Sequence, residues 1–220
     1  RATFAGLRTA QGYQIQATGV SPLTGSKIET VVYTGAATLS VVSGTPQAAV
    51  VNTQFGADLV VQVLDRNSLP VSGVQVGFAV PGAGASATTT LPFAITGSNG
   101  RAAIRPTANT VAGAYSVTAS APGVASTATF NLTNTAGAPA TITAVSGGGQ
   151  SATVNTAFGA PLVVEVRDAF NNPVPGATIA FTAPGAGASS TLSAPAVTNA
   201  LGRTQVTATA NTTAGGPYNV

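Results

Sequence analysis

The sequence predicts an all-β protein of tandem β-sandwiches standing end to end as an elongated rod. Three observations predict it. The chain repeats itself. Within each repeat, apolar and polar residues alternate with a period of two. Clusters of Asn, Pro and Gly break the alternating runs at intervals of roughly 8–12 residues, the spacing of short sandwich strands.

The repeat sets the domain frame. Thr38-Leu39-Ser40-Val41-Val42-Ser43-Gly44 returns as Thr141-Ile142-Thr143-Ala144-Val145-Ser146-Gly147. Asn52-Thr53-Gln54-Phe55-Gly56-Ala57 returns as Asn155-Thr156-Ala157-Phe158-Gly159-Ala160, and Pro81-Gly82-Ala83-Gly84 as Pro184-Gly185-Ala186-Gly187, all 103 residues on. Gly100-Arg101 returns 102 residues on as Gly202-Arg203, so one deletion intervenes. A partial copy opens the chain: Gly12-Tyr13-Gln14-Ile15 parallels both Ala114-Tyr115-Ser116-Val117 and Pro217-Tyr218-Asn219-Val220. The expected organisation is therefore residues 1–36 as the C-terminal strands of a preceding domain or a donor segment, 37–137 as a complete domain, and 138–220 as a domain lacking its last strand. A sandwich without that strand exposes unpaired N–H and C=O groups and an apolar groove. Either a longer chain continues or another molecule donates the strand. Arg1, with no initiating Met and no signal peptide before it, looks like the start of a processed or excised segment.

The strands come in order. Leu59, Val61 and Val63 alternate with Val60, Gln62 and Leu64, and in the second copy Leu162, Val164 and Val166 stay apolar while Glu165 and Arg167 take the other face. Val74, Val76, Phe78 and Val80 alternate with Gln75, Gly77 and Ala79. Tyr115, Val117 and Ala119 alternate with Ser116, Thr118 and Ser120. Ala128, Phe130 and Leu132 alternate with Thr127, Thr129, Asn131 and Thr133. Asn67-Ser68-Leu69-Pro70 and Asn171-Asn172-Pro173 are turns at matching places, and Ser98-Asn99-Gly100 is a hairpin-type signal. No segment reads as an amphipathic helix, because Gly, Pro and β-branched residues break the Ala-rich stretches. Tyr115 stands two residues before Val117, where immunoglobulin-type sandwiches place a Tyr two before the second Cys. Val117 then takes the Cys position, and Val61 or Val63 opposes it in place of a disulfide.

These residues carry a family resemblance. The pattern Asp65-x-Asn67-x-x-Pro70-Val71-x-Gly73-Val74-x-Val76-x-Phe78, then Thr96-x-x-x-Gly100-Arg101-Ala102, then Ala112-Gly113-x-Tyr115-x-Val117-x-Ala119 resembles the bacterial Ig-like group 1 domain. The second copy matches through Asp168, Asn172-Pro173-Val174-x-Gly176, Ile179, Phe181, Thr198, Gly202-Arg203, Ala214-Gly215 and Tyr218. That domain builds the stalks of invasin- and intimin-type surface proteins. The resemblance implies tandem Ig-like β-sandwiches in which most copies are spacers and binding belongs to special terminal domains.

Composition excludes much chemistry. The 220 residues include no His, Cys, Met or Trp, and only 6% are charged. Without His there is no imidazole base or His-dependent triad, and without Cys no thiolate, disulfide or zinc knuckle. The eight basic residues Arg1, Arg8, Lys27, Arg66, Arg101, Arg105, Arg167 and Arg203 are scattered, so nothing tracks a phosphate backbone. No apolar run reaches the ~18–20 residues that span a bilayer.

The remaining motifs read as structure. Pro81-Gly82-Ala83-Gly84 lacks the helix start and Lys of a phosphate cradle, so it reads as a plain loop. Asp65 and Asp168 each bring one carboxylate to an Asn-rich turn, too few for calcium, and read as turn caps. Glu165 aligns with Gln62 and Asp58 with Pro161, so neither carboxylate recurs. Arg101 and Arg203 recur after Gly, either pairing with Asp65 and Asp168 across the sandwich end or standing as solvated side chains. Lys27 is the only Lys, which excludes one Lys–Asn isopeptide crosslink per domain. Asn131-Leu132-Thr133 and Asn211-Thr212-Thr213 fit a glycosylation pattern by chance. No catalytic, cofactor-binding or metal-ligating residue is expected.

The outward strand faces are Thr, Ser, Ala, Gln and Asn, with almost no charge, and tolerate lateral contact of the kind useful in a fibre. The short linker 134–140, stiffened by Pro139, favours a rod. The expected function is a non-enzymatic structural repeat segment of a bacterial extracellular or cell-surface fibrous protein, an adhesin/invasin-type stalk associated with the outer membrane. The alternative is a self-assembling extracellular filament or sheath subunit joined by strand complementation. Expected partners are neighbouring Ig-like repeats or further copies of the chain, with any host or cell-surface ligand held by domains outside this segment. A carbohydrate-binding module is disfavoured: four Tyr, eight Phe and no Trp fall mostly at inward positions.

Overall fold

The computed structural model describes residues 15–16, 32–33, 35–194 and 197–220. It divides into two compact units, residues 1–135 and 136–220. The tail or donor segment expected at 1–36 lies outside the described residues, apart from its last two residues and one short antiparallel pair. That pair joins β1 (Ile15–Gln16) and β2 (Val32–Tyr33).

Unit 1 is a two-sheet sandwich. In chain order come β3 (Thr38–Ser43), β4 (Gln47–Val50), β5 (Leu59–Leu64), β6 (Gln75–Ala79), β7 (Ala87–Thr88) and β8 (Phe93–Ile95). After them come β9 (Arg101–Ile104), β10 (Thr107–Ala108), β11 (Gly113–Ser120) and β12 (Ala128–Thr135). One sheet has the order β3-β5-β9, the other β4-β12-β11-β6-β8, and β7 pairs with β10. All pairings are antiparallel except β4 with β12, which run parallel from Gln47 opposite Leu132 to Val50 opposite Thr135. The chain thus crosses from one sheet to the other between β3 and β4. That switch lets the first strand segment close both sheets.

The alternation becomes burial. Along β5 the inward residues Leu59, Val61 and Val63 are fully buried, and the intervening ones are half-buried. Val76 and Phe78 from β6, Val117 and Ala119 from β11, and Ala128, Phe130 and Leu132 from β12 meet them in one core with Leu39 and Phe55. The rings of Phe78 and Phe130 lie 6.2 Å apart. Burial of each large side chain contributes about 1.5–3 kcal/mol against the conformational entropy of ordering the chain. Val117 packs in that cluster with Val61 and Val63, at the places where a disulfide would otherwise stand. The turn expected at Ser98-Asn99-Gly100 forms, with Gly100 N–H donating to Gly97 C=O at 2.9 Å. It closes no hairpin in one sheet, however. It passes from β8, an edge of the five-stranded sheet, to β9 in the three-stranded sheet. The buried hydroxyl of Thr96 fixes this corner by accepting from Val74 N–H (2.9 Å) and donating to Val71 C=O (2.7 Å).

Unit 2 repeats part of this frame. It contains β13 (Pro139–Ser146), β14 (Leu162–Asp168), β15 (Ser190–Leu192), β16 (Arg203–Val206) and β17 (Ala208–Ala210). The sheet β13-β14-β16 corresponds to β3-β5-β9, and the pair β15–β17 to β7–β10. Both copies carry the same bulge, between Val41 and Ser43 and between Ala144 and Ser146. In both, a positive-φ glycine comes next, Gly44 (φ 99°) and Gly147 (φ 92°), whose backbone presses on the neighbouring strand. A Cβ there would meet Asp58 O or Pro161 O at 2.2 Å.

The second sheet of unit 2 differs. The counterparts of β4 and β6, residues 150–153 and 178–182, form no strand. In unit 1 those strands take their ladder hydrogen bonds from β12 and β11. By the repeat, Val220 stands at the position of Val117. Among the described residues no helix is present.

Candidate interaction surface

Each motif singled out in the sequence has a definite place. The loop Pro81–Gly84 is closed by its own polar groups. Ser86 Oγ donates to Pro81 C=O at 2.6 Å, and Asn109 Nδ2 to Gly84 C=O at 2.8 Å. The copy repeats this with Ser189 to Pro184 C=O (2.6 Å) and Asn211 Nδ2 to Gly187 C=O (2.7 Å). Each loop leads into a short strand, β7 or β15, and never into a helix start.

Asp65 caps its turn by accepting from Asn67 N–H (2.8 Å) and Leu69 N–H (2.9 Å). Asp168 is held more tightly. Its Oδ1 accepts from Phe170 N–H (2.9 Å) and Asn172 N–H (2.8 Å), its Oδ2 from Asn172 Nδ2 (2.9 Å) and Gly137 N–H (2.8 Å). Burial alone would push the Asp168 carboxyl up. The hydrogen bonds from Asn172, Gly137 and Phe170 outweigh it and hold the group below the usual aspartate value.

The arginines do not pair as the sequence suggested. Arg203 Nε meets Glu165 Oε2 at 2.7 Å, and Arg167 Nε takes the other carboxylate oxygen of Glu165. Register explains the choice: Glu165 lies directly opposite Arg203 on β14 and β16, while both oxygens of Asp168 are committed to its own turn and to Gly137. The Arg203 hydrogen bond, offset in part by burial and helped by Arg167, lowers the Glu165 carboxyl. Arg101 lies opposite Gln62, and among the described residues it forms no ion pair with Asp65. Asp58 pairs instead with Arg105 at 2.6 Å, with both side chains more than 40% exposed, a position where an ion pair contributes about 0–1 kcal/mol. Among the described residues no cluster of three or more acidic, His or Cys side chains exists, and no helix is long and apolar enough to cross a membrane.

The side chain that sequence reasoning missed is Asn134. It is the next-to-last residue of β12 and is 1% exposed. Its Nδ2 reaches Ser86 C=O (2.9 Å), Asn109 Oδ1 (2.9 Å) and Val111 C=O (3.1 Å), tying β12 to the loop after β6 and to the turn before β11. Only the recurrence of its partners, Ser86/Ser189 and Asn109/Asn211, could have pointed to it. Those partners keep their geometry in unit 2. Asn211 Oδ1 accepts from Ser189 N–H and Thr213 N–H (both 3.2 Å), as Asn109 Oδ1 accepts from Ser86 N–H (3.2 Å) and Val111 N–H (3.1 Å).

The apolar counterpart is equally clear. Leu39 is 5% exposed, whereas Ile142 at the same place in unit 2 is 55% exposed. Phe158, Leu162, Val164, Ile179 and Phe181 are only partly buried, although Phe55, Leu59, Val61, Val76 and Phe78 are all buried in unit 1. All along β13 the residues are exposed. Val166, Thr204 and Val206 of the same sheet remain buried, so the inward face of unit 2 is covered in part.

No protein-family model and no curated protein sequence matches the chain. Among solved structures it is similar to the Escherichia coli adhesin FdeC, at 20% identity over 81% of this chain and 56% of that one, with a TM-score of 0.45. It is similar to Yersinia pseudotuberculosis InvD, at 14% identity over 82% of this chain and 53% of that one, with a TM-score of 0.44. It is also similar to invasin, described as a bacterial integrin-binding protein, at 24% identity over 81% of this chain and 34% of that one, with a TM-score of 0.36. The chain thus spans from about a third to just over half of the length of these structures, and likeness at these values carries no function across.

Proposed function

We propose that the chain is a non-enzymatic structural repeat segment of a bacterial extracellular or cell-surface fibrous protein, a stalk of the adhesin/invasin type. The supporting observation is how the side chains are used. In both copies the recurring polar residues, Asp65/Asp168, Thr96/Thr198 and Gln47/Gln150, spend their hydrogen bonds on the chain's own backbone. The recurring apolar residues Val63 and Val166 are buried in their sheets. What repeats is thus a frame, and a repeated frame with a charge-poor surface suits a spacer. The module frame 37–137 and 138–220 is part of this proposal, as are neighbouring repeats as partners, a host or cell-surface ligand bound through other domains, and association with the outer membrane.

Antibodies raised against the 220-residue chain test the reading on intact, unpermeabilised bacteria that produce it. Labelling of intact cells, abolished by brief external protease treatment, is the expected result. Labelling only after permeabilisation overturns the proposal.

A further inference from the structure

The sequence contains one Asn-Gly pair, Asn99-Gly100, and the fold sets it at the corner where the chain passes from β8 to β9. Asn99 is exposed and Gly100 is buried. Polar contacts hold the pair. Asn99 Oδ1 accepts from Arg101 N–H (3.0 Å), Asn99 C=O accepts from Gln62 Nε2 (3.1 Å), and Gly100 N–H donates to Gly97 C=O (2.9 Å). Gly100 C=O in turn accepts from Val63 N–H on β5 at 2.8 Å. Unit 2 builds the same corner from other residues. Leu201 stands at the place of Asn99, and Asn199, followed by Ala200, caps Leu201 N–H (2.9 Å) and Arg203 N–H (3.1 Å). Both corners use an amide cap and a glycine, but only unit 1 places the two side by side.

We propose that Asn99 is a self-modification site, where uncatalysed loss of ammonia ages unit 1 and spares the matching corner of unit 2. Asn is a chemically labile residue, and glycine leaves the following backbone nitrogen unhindered. The Gly100 amide gives its proton to hydroxide, and its nitrogen attacks Asn99 Cγ. A C–N bond forms and closes a succinimide ring. The Cγ–Nδ2 bond breaks, and the amide nitrogen takes a proton from water and leaves as ammonia. The folded turn restrains this step, because the Gly100 N–H is committed to Gly97. Ring closure requires only that bond and the one from Arg101 N–H to open, a local event at an exposed turn. Water then opens the ring in one of two ways. Attack at Cγ gives aspartate, whose carboxylate still accepts from Arg101 N–H. Attack at the α-carbonyl gives isoaspartate: the main chain now runs through Cβ and Cγ, one carbon longer, and the carbonyl that faced Gln62 becomes a free carboxylate. The longer chain has no room inward, since even a Cβ on Gly100 would lie 2.6 Å from the Val63 carbonyl oxygen and 3.0 Å from Pro70 Cβ. The corner bulges outward and draws Gly100 C=O off Val63 N–H, at the join between the two sheets.

The test incubates the intact 220-residue chain in mildly alkaline buffer and maps deamidation by peptide mass spectrometry, with isoaspartate read by enzymatic methylation. Asn99 is expected to convert first, ahead of Asn67, an exposed amide followed by Ser68, and to convert faster as hydroxide rises. The isoaspartate-bearing fraction is then compared with the parent chain and with an Asn99→Asp chain by hydrogen exchange resolved to single amides by NMR. In that fraction the Val63 amide is expected to lose its protection, while the Val166 amide, bonded in the same way to Gly202 C=O at 2.8 Å in unit 2, keeps it. The Asn99→Asp chain is expected to keep both. Conversion at Asn99 no faster than at Asn67 overturns the proposal. So does an isoaspartate-bearing chain whose Val63 stays protected, or an Asn99→Asp chain that loses the protection by itself.

Discussion

Leu39 and Ile142 stand at the same place in the two units and differ elevenfold in exposure, 5% against 55%. Truncating each to alanine turns that difference into a measurement. Leu39 is enclosed by β12, and its backbone N–H is held by Ser126 Oγ at 3.3 Å. Removing a buried Leu side chain costs its transfer free energy plus the cavity left behind, about 3 kcal/mol. Ile142 has less than half of its surface covered and leaves no closed cavity. Scaling a full burial of about 1.5–3 kcal/mol by that fraction gives about 1 kcal/mol. In thermal unfolding of the whole chain, monitored unit by unit through hydrogen exchange, Leu39→Ala should lower the unit 1 transition by more than about 10 °C. Ile142→Ala should lower that of unit 2 by a few degrees. Equal losses would mean that something covers β13 in solution, and the contrast between a closed and an open sheet would have to be given up.

The geometry sets three further outcomes. Gly44→Ala should destabilise unit 1 well beyond Gly73→Ala, as urea titration can show. Both have positive φ, which costs an L-residue about 1–2 kcal/mol, but only the Cβ at 44 would also strike backbone, whereas nothing lies within 4 Å at 73. Tyr115→Phe should leave unit 1 as stable or raise its stability by up to about 1 kcal/mol. Among the described residues the hydroxyl is buried without a hydrogen-bond partner, and burial pushes its pKa to about 12, so its loss relieves a desolvated group. Unit 2 should weaken in acid. Asp168 and Glu165 have folded values below their unfolded ones, so their contribution is complete above roughly pH 4–4.5. It is lost as pH falls through the lower folded values. Asp168→Asn should flatten this dependence in a pH series of unit 2 melting temperatures while reducing stability at pH 7.

The sequence made the local parts of this fold legible. Alternation placed Leu59, Val61 and Val63 inside because a period of two leaves one face per strand. Asp65 and Asp168 read as turn caps because their partners lie two and four residues away. What escaped depends on distant pairing. Arg203 turned to Glu165 because strand register, invisible in one strand, sets them opposite. The segment around Ile179 and Phe181 alternates as β6 does, yet forms no strand, because alternation supplies a face and not the neighbouring ladder. Asn134 looked like one more polar residue on a Thr-rich strand. Its burial is decided by two loops 25 and 48 residues away in sequence.

The parallel pairing of β4 with β12 has a mechanical consequence. The strand that carries the chain out of unit 1, β12, runs parallel to β4, which follows the entry strand β3, and the two are paired over four successive positions. Tension applied at the two ends pulls them past one another lengthwise. The load then falls on all of those bonds together instead of peeling them one at a time, and the force that a module withstands is set by its slowest rupture step. A fold clasped in this way resists stretching at β4 and β12, behind the entry strand β3.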